Sequence, residues 1–165
     1  MIRPATKEDI PEIVRIEKAS INETELVGYA APIGERILAD ENKLRAAWDG
    51  DSVDGLQVYV FEQERILGFI LIRVDNDAVE LDNILVSADR QNEGIGSALV
   101  AFVEDLTRKL GKKYVTLGTT RSTKTGIPWK SYTFWLRLGY KVEEEKETEE
   151  GRTYGFTEIR FRKKL

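Results

Sequence analysis

The stretch Ile84-Leu85-Val86-Ser87-Ala88-Asp89-Arg90-Gln91-Asn92-Glu93-Gly94-Ile95-Gly96 decides how this chain is read. An apolar run passes through a short polar turn into a segment where Ile95, Ala98, Leu99, Phe102, Val103, Leu106 and Leu110 recur at helical spacing, until Gly111 stops it. The pattern predicts a buried strand, a turn, and a helix over residues 94–110 whose first turn carries two glycines. Glycines there remove Cβ atoms and let a ligand approach the backbone. The first N–H groups of a helix have no partner inside it, and the helix dipole stands behind them. Such a turn binds an anion, and phosphate or pyrophosphate is the chemistry it implies.

Working upstream, Leu56–Glu62, Ile66–Val74 and Ala78–Val86 alternate with period two and read as three consecutive strands, with turns at Gln63-Glu64 and Asp75-Asn76-Asp77. Ile2–Pro4 reads as a first strand. Thr6 then has the character of a helix N-cap, with Asp9 three residues on. Ile10, Ile13, Val14 and Ile16 form a helical stripe ending near Ala19. Residues 20–34 lack periodicity and read as a loop; residues 34–48 read as a second helix, and residues 49–55 as a turn. Downstream come a strand over residues 114–119 and a polar loop. A helix over residues 129–138 follows, opened by Pro128 and ended by Gly139. Residues 140–147 and 154–163 read as a closing hairpin. The order β-α-α-β-β-β-α-β-α-β-β implies one α/β (α+β) domain over residues 1–165. Its sheet is mixed and mainly antiparallel, of about seven strands, with helices on both faces.

Two zeros in the composition remove chemistry: the 165 residues include no cysteine and no histidine. There is no thiol nucleophile, no disulfide, no Ser-His-Asp triad and no Cys/His zinc site. Lys and Arg number 25 against 29 Asp and Glu, a net charge of −4. An acidic chain is a poor non-specific binder of nucleic acid, which is held mainly through its phosphates. A small cationic partner suits it better. With 33% charged residues and one methionine, the composition leans towards a heat-adapted source. The polar start resembles no signal peptide, and no apolar run approaches a membrane span; the expectation is a soluble, cytoplasmic protein with no membrane or metal.

Three phosphate-binding motifs share the logic of the glycine turn. A Walker loop needs Lys-Ser/Thr after its last glycine, but Ser97-Ala98 follows. A dinucleotide fingerprint needs a small residue at Leu99 and an acid about twenty residues on, where Val115-Thr116-Leu117 has none. The pattern Gln91-x-x-Gly94-x-Gly96, directly after Leu85-Val86, resembles the acetyl-CoA pyrophosphate loop of the GNAT family of N-acetyltransferases. The three strands before it agree, as does Phe134-Trp135-Leu136-Arg137-Leu138-Gly139-Tyr140, which is similar to the family's late Tyr-x-x-Leu-Gly-Phe segment.

The resemblance implies roles. The backbone of Ile84, Leu85 and Val86 would hold the pantetheine arm of acetyl-CoA like an added strand. An N–H near Leu85 would polarise the thioester carbonyl. Gln91, Asn92, Glu93, Gly94, Ile95, Gly96 and Ser97 would wrap the pyrophosphate. Glu93 is unfavourable beside phosphate, and Arg90 is placed to offset it. Arg121 and Lys124 are candidate phosphate ligands, and Trp135 would pack against the CoA arm. The attacking amine must first lose a proton, since an alkyl ammonium titrates near ~10.4. Glu80 and Asp82 lie two apart on the strand leading to the loop, about 6.6 Å apart on one face with Leu81 and Leu85 on the other. Glu80 is the first candidate base and Asp82 the second. The family's usual acid, a tyrosine, is replaced by Trp135, whose indole cannot protonate a thiolate. Tyr132, one helical turn earlier, is the substitute, with Tyr29, Tyr154 or solvent behind it.

The acceptor pocket implied by the resemblance lies between residues 20–34 and 147–155, both acid-rich through Glu23, Glu25, Glu147, Glu149 and Glu150. That favours a polyamine, an aminoglycoside-like amine or a peptide amine. The exposed late strand leaves room for a homodimer. Two other readings stand beside the transferase. One is a non-catalytic acyl-CoA-binding module, motivated by Trp135. The other is a nucleotide-dependent oxidoreductase or kinase, resting on the glycine turn alone.

Overall fold

The computed structural model describes residues 1–26 and 37–165, with side chains in the first stretch through Ser20. The Thr6 N–H is capped by the Asp9 carboxylate at 2.8 Å, and the chain enters α1 (Ile10–Leu26) directly afterwards. This helix runs seven residues past Ala19, so the described part of the expected loop, residues 20–26, is helical. Strand β1 (Ile2–Pro4) precedes it. A short α2 (Glu41–Ala47) is capped by Asp40, whose side chain accepts from the Lys43 N–H.

Among the described residues nine strands form one sheet, against the seven or so read from sequence. The additional pair, β2 (Trp48–Asp49) and β3 (Ser52–Val53), is a minimal hairpin where only a turn was expected. Two-residue strands leave no period to detect. Next come β4 (Leu56–Glu62), β5 (Ile66–Val74) and β6 (Ala78–Val86), then α3 (Ile95–Lys109) and β7 (Tyr114–Ser122). The chain closes with α4 (Ser131–Arg137), β8 (Lys141–Lys146), α5 (Glu149–Tyr154) and β9 (Phe156–Lys164). Helix α5 replaces the tight end of the expected hairpin: Thr148 caps it by accepting from the Gly151 N–H at 2.9 Å.

The sheet order is β2-β3-β4-β5-β6-β7-β9-β8, with β1 against β4; every pairing is antiparallel except β6 with β7. That exception follows from α3, the crossover that returns the chain to the same end of the sheet. Helix α3 buries Ile95, Leu99, Val100 and Val103 against Ile70, Ile72, Val79, Leu81, Val115, Leu117 and Phe161 on one face. Helices α1 and α2 cover the other face, where Ile10, Ile13 and Leu44 meet Val58, Val60, Phe69 and Leu71. Each such side chain contributes about 1.5–3 kcal/mol when fully buried. Among the described residues no helix is long and apolar enough to cross a membrane.

Candidate active site

The site begins at a fault in the sheet. Leu71 pairs with Asn83 and Ile72 with Leu81, so Asp82 is an extra residue in β6 with no partner on β5. A β-bulge bends its strand and reverses the alternation of faces beyond it. Leu81 accordingly packs with the α3 core, while Leu85 packs with the α1 core and Ile84 and Val86 turn towards α3. The expectation that Leu81 and Leu85 share a face is corrected by this one-residue slip.

The bulge also ends the pairing with β7. Only Ala78–Leu81 pairs with Tyr114–Leu117. Beyond Leu81, β7 continues against β9, and among the described residues the β7-side edge of β6 carries no strand. A cavity of about 720 Å³ opens along that edge. It is lined by Ile84, Leu85 and Val86, by Arg90, Gln91 and Asn92, and by Gly94, Ile95, Gly96 and Ser97. Trp129, Lys130, Ser131, Phe134, Trp135, Arg137 and Leu138 form the opposite wall.

Gly94 caps α3 at φ +83°, a left-handed conformation that a side chain would strain. It aims the free N–H groups of the first turn of α3 at the cavity, and that turn holds no acidic residue. The Gln91 amide donates to the Val86 carbonyl at 3.4 Å, and Lys130 donates to the Gln91 amide oxygen at 3.3 Å. Glu93 does not line the cavity; it is drawn aside by Arg90, Nε to Oε2 2.7 Å. Lys124 and Arg121 lie outside the lining as well. Arg121 is bound to Glu145 at 2.8 Å, and its guanidinium sits 5.9 Å from the Tyr132 ring centre. The cations on the cavity are Arg90, Lys130 and Arg137, of which sequence reasoning missed the last two. Their places beside Pro128 and along α4 were the available signal.

The two carboxylates of β6 differ. Glu80 is buried, and both of its oxygens are engaged. Arg160 Nη1 and Nη2 donate at 2.8 Å each, and the Thr116 hydroxyl donates to Oε2. Burial pushes the Glu80 carboxyl up, but the hydrogen bonds from Arg160 and Thr116 outweigh it and hold it below the usual Glu range. Asp82 is exposed, on a smaller cavity of about 120 Å³ shared with Asn83, Gly118, Thr119 and Ser131. Ile84, Trp129, Ser131 and Trp135 line both cavities, so the small one continues the large one towards Asp82. The protein packed around Asp82 partly desolvates it and raises its carboxyl above the usual Asp range; Arg73 opposes this and Glu80 adds to it.

No tyrosine among the described residues lines either cavity. Tyr132 packs edge-on against Phe161 at 5.5 Å and lines neither cavity. Tyr140 is buried and donates to Glu104 at 3.1 Å, and burial pushes its phenol well up. Trp135 is 3% exposed and packs edge-on against Phe134 and Tyr140. Tyr29 and the residues around it in the expected acceptor loop lie outside the described residues.

Residues 20–140 match the family described as the Acetyltransferase (GNAT) family. The chain belongs to the GNAT family. A sequence comparison with curated proteins found no match. Several solved structures share the GNAT fold across the whole chain. The PaiA N-acetyltransferase from Thermoplasma acidophilum, solved in complex with coenzyme A, is 18% identical, with a TM-score of 0.73 over 100% of this chain and 98% of that one. An aminoglycoside 6'-N-acetyltransferase complexed with coenzyme A is 16% identical, with a TM-score of 0.69 over 99% and 96%. The ribosomal-protein-S18-alanine N-acetyltransferase from Escherichia coli is 16% identical, with a TM-score of 0.68 over 100% and 93%. This GNAT chain is an acetyltransferase in the expected fold class, with nine strands in place of seven.

Proposed function

We propose that this GNAT chain transfers an acetyl group from acetyl-CoA to a primary amine, with Asp82 as the general base. The observation that carries the reading is the parting of β6 from β7 at Asp82, beside the glycine turn at Gly94. An extended pantetheine arm could hydrogen-bond the free edge at Ile84–Val86 as a further strand does. The first N–H groups of α3, with Lys130 and Arg137, suit a pyrophosphate.

Acetyl-CoA supplies an activated thioester, which removes the need for a nucleophile that a chain without cysteine and histidine lacks. The amine nitrogen bonds to the carbonyl carbon, the C–S bond breaks, and the surplus proton leaves the nitrogen. Asp82 accepts that proton, directly or through water; its raised pKa makes it a stronger base than an ordinary aspartate. A backbone N–H near Leu85 stabilises the developing charge on the carbonyl oxygen. The departing thiolate takes its proton from solvent, since Tyr132 lines neither cavity. Asp82 on the cleft, rather than the clamped Glu80, takes the role of base, and Tyr132 takes no part. Acidic residues Glu149 and Glu150 near the proposed acceptor side favour a cationic amine, such as a polyamine or a peptide amine.

The test is release of CoA thiol from acetyl-CoA with a panel of primary amines, beside titration calorimetry with CoA, NAD and ATP. Amine-dependent thiol release and binding of CoA alone support the transferase. CoA binding with no thiol release from any amine favours the acyl-CoA-binding module, the reading that Trp135 at the family's tyrosine position keeps open.

A further inference from the structure

We infer that Arg160 is a positioning residue for acetyl transfer, clamping Glu80 one rung before the pairing between β6 and β7 ends so that Asp82 is presented into the cleft. The inference rests on Asp82 being the base. Glu80 lies opposite Thr116, one rung before the pairing ends at Leu81 and Leu117. Arg160 reaches Glu80 from β9, across β7, with a two-pronged contact at 2.8 Å on each side, while Thr116 binds the same carboxylate from β7. One carboxylate thus joins three strands at the point where the sheet divides.

Gly118 on β7 makes room for this clamp. A Cβ there would stand 3.0 Å from Arg160 Nη1 and 2.8 Å from Glu158 Oε1, and Glu158 braces Arg160 from the other side at 3.2 Å. A buried ion pair is often no more stabilising than apolar residues of similar volume, because desolvation offsets the attraction. Its particular quality is direction: a planar fork on a carboxylate admits one geometry. Two residues on, at the bulge itself, that geometry decides where Asp82 points.

Steady-state kinetics on Arg160→Met, Arg160→Lys, Gly118→Ala and the double variant Glu80→Leu/Arg160→Met test this, with melting temperature and acetyl-CoA affinity measured on each. Asp82→Asn is run alongside. Arg160→Met should lower kcat about tenfold or more with the acetyl-CoA Kd little changed, the effect expected when a reacting group is misaimed. Arg160→Lys should recover part of the rate, and Gly118→Ala should show a smaller loss of the same kind. The double variant should regain melting temperature without regaining kcat. A full rate in folded Arg160→Met, or kcat that returns with melting temperature in the double variant, overturns the inference while leaving the base in place. A full rate in Asp82→Asn removes the base, and the inference with it.

Discussion

The two halves of β6 show how one strand can serve both stability and chemistry. From Val79 to Leu81 it is paired on both sides, its residues are buried, and its one carboxylate is neutralised by Arg160. From Asp82 on it has no partner on the β7 side and only Asn83 to Val86 pair with β5, its residues are half-buried or exposed, and the Asp82 carboxylate is met by positive charge only through the field of Arg73. The same backbone groups that make a ladder in the first half are left for a ligand in the second. A single inserted residue separates the two regimes.

The sharpest way to break the comparison is to neutralise the carboxylate of the free half. Asp82→Asn should reduce kcat by about 10²–10⁴, the usual worth of a positioned base, with acetyl-CoA binding retained. Thiol-release kinetics read the first quantity and calorimetry the second. Next in size is the anion turn. Acetyl-CoA at about 100 times its Kd should stabilise the native protein by about 2.7 kcal/mol. Gly94→Glu, which adds a side chain at positive φ and a charge at the phosphate site, should abolish that shift in a thermal melt.

The third prediction sets the two carboxylates against each other in stability. Glu80 has a lowered pKa, so its stabilising effect is present above the unfolded value of about 4.3 and is lost as pH falls through its folded value. Glu80→Gln should destabilise at pH 7 by about 1.5–3 kcal/mol, the worth of hydrogen bonds to a charged group. Asp82 has a raised pKa, so its ionised form opposes folding above that value and the cost fades as pH drops through it. Asp82→Asn should therefore raise the melting temperature at pH 7, and its advantage should vanish in acid. Melts of both variants from pH 7 down to about pH 3 check the opposite signs. The smallest effect belongs to a cation outside the cleft. Arg121→Ala should cost about 0.2–1 kcal/mol, as exposed ion pairs do, and leave acetyl-CoA affinity unchanged, whereas Lys130→Ala should weaken it.

Much of this was legible in the sequence. The bounds of β4, β5 and β6 follow from local alternation, and α3 from its stripe, because each pattern repeats several times within its element. The glycine turn was legible because its requirement is local: a backbone that only glycine adopts easily, followed by a helix start. What escaped was non-local. The bulge at Asp82 exists only relative to β5, and Arg160 meets Glu80 across eighty positions of chain. Two carboxylates, two apart on one strand, are told apart by partners that lie far away in the chain. Lys124 and Lys130 likewise differ only in which side of the β7–α4 connection the fold turns towards the cavity.

The central claim is that the free edge of β6 and the turn at Gly94 hold acetyl-CoA, and backbone amide chemical shifts during an acetyl-CoA titration test it most directly. The account predicts saturable shifts concentrated at Ile84, Leu85, Val86 and from Gln91 to Ser97, with Tyr114, Val115 and Thr116 nearly still. Saturable shifts centred elsewhere, or none at millimolar acetyl-CoA, would contradict it.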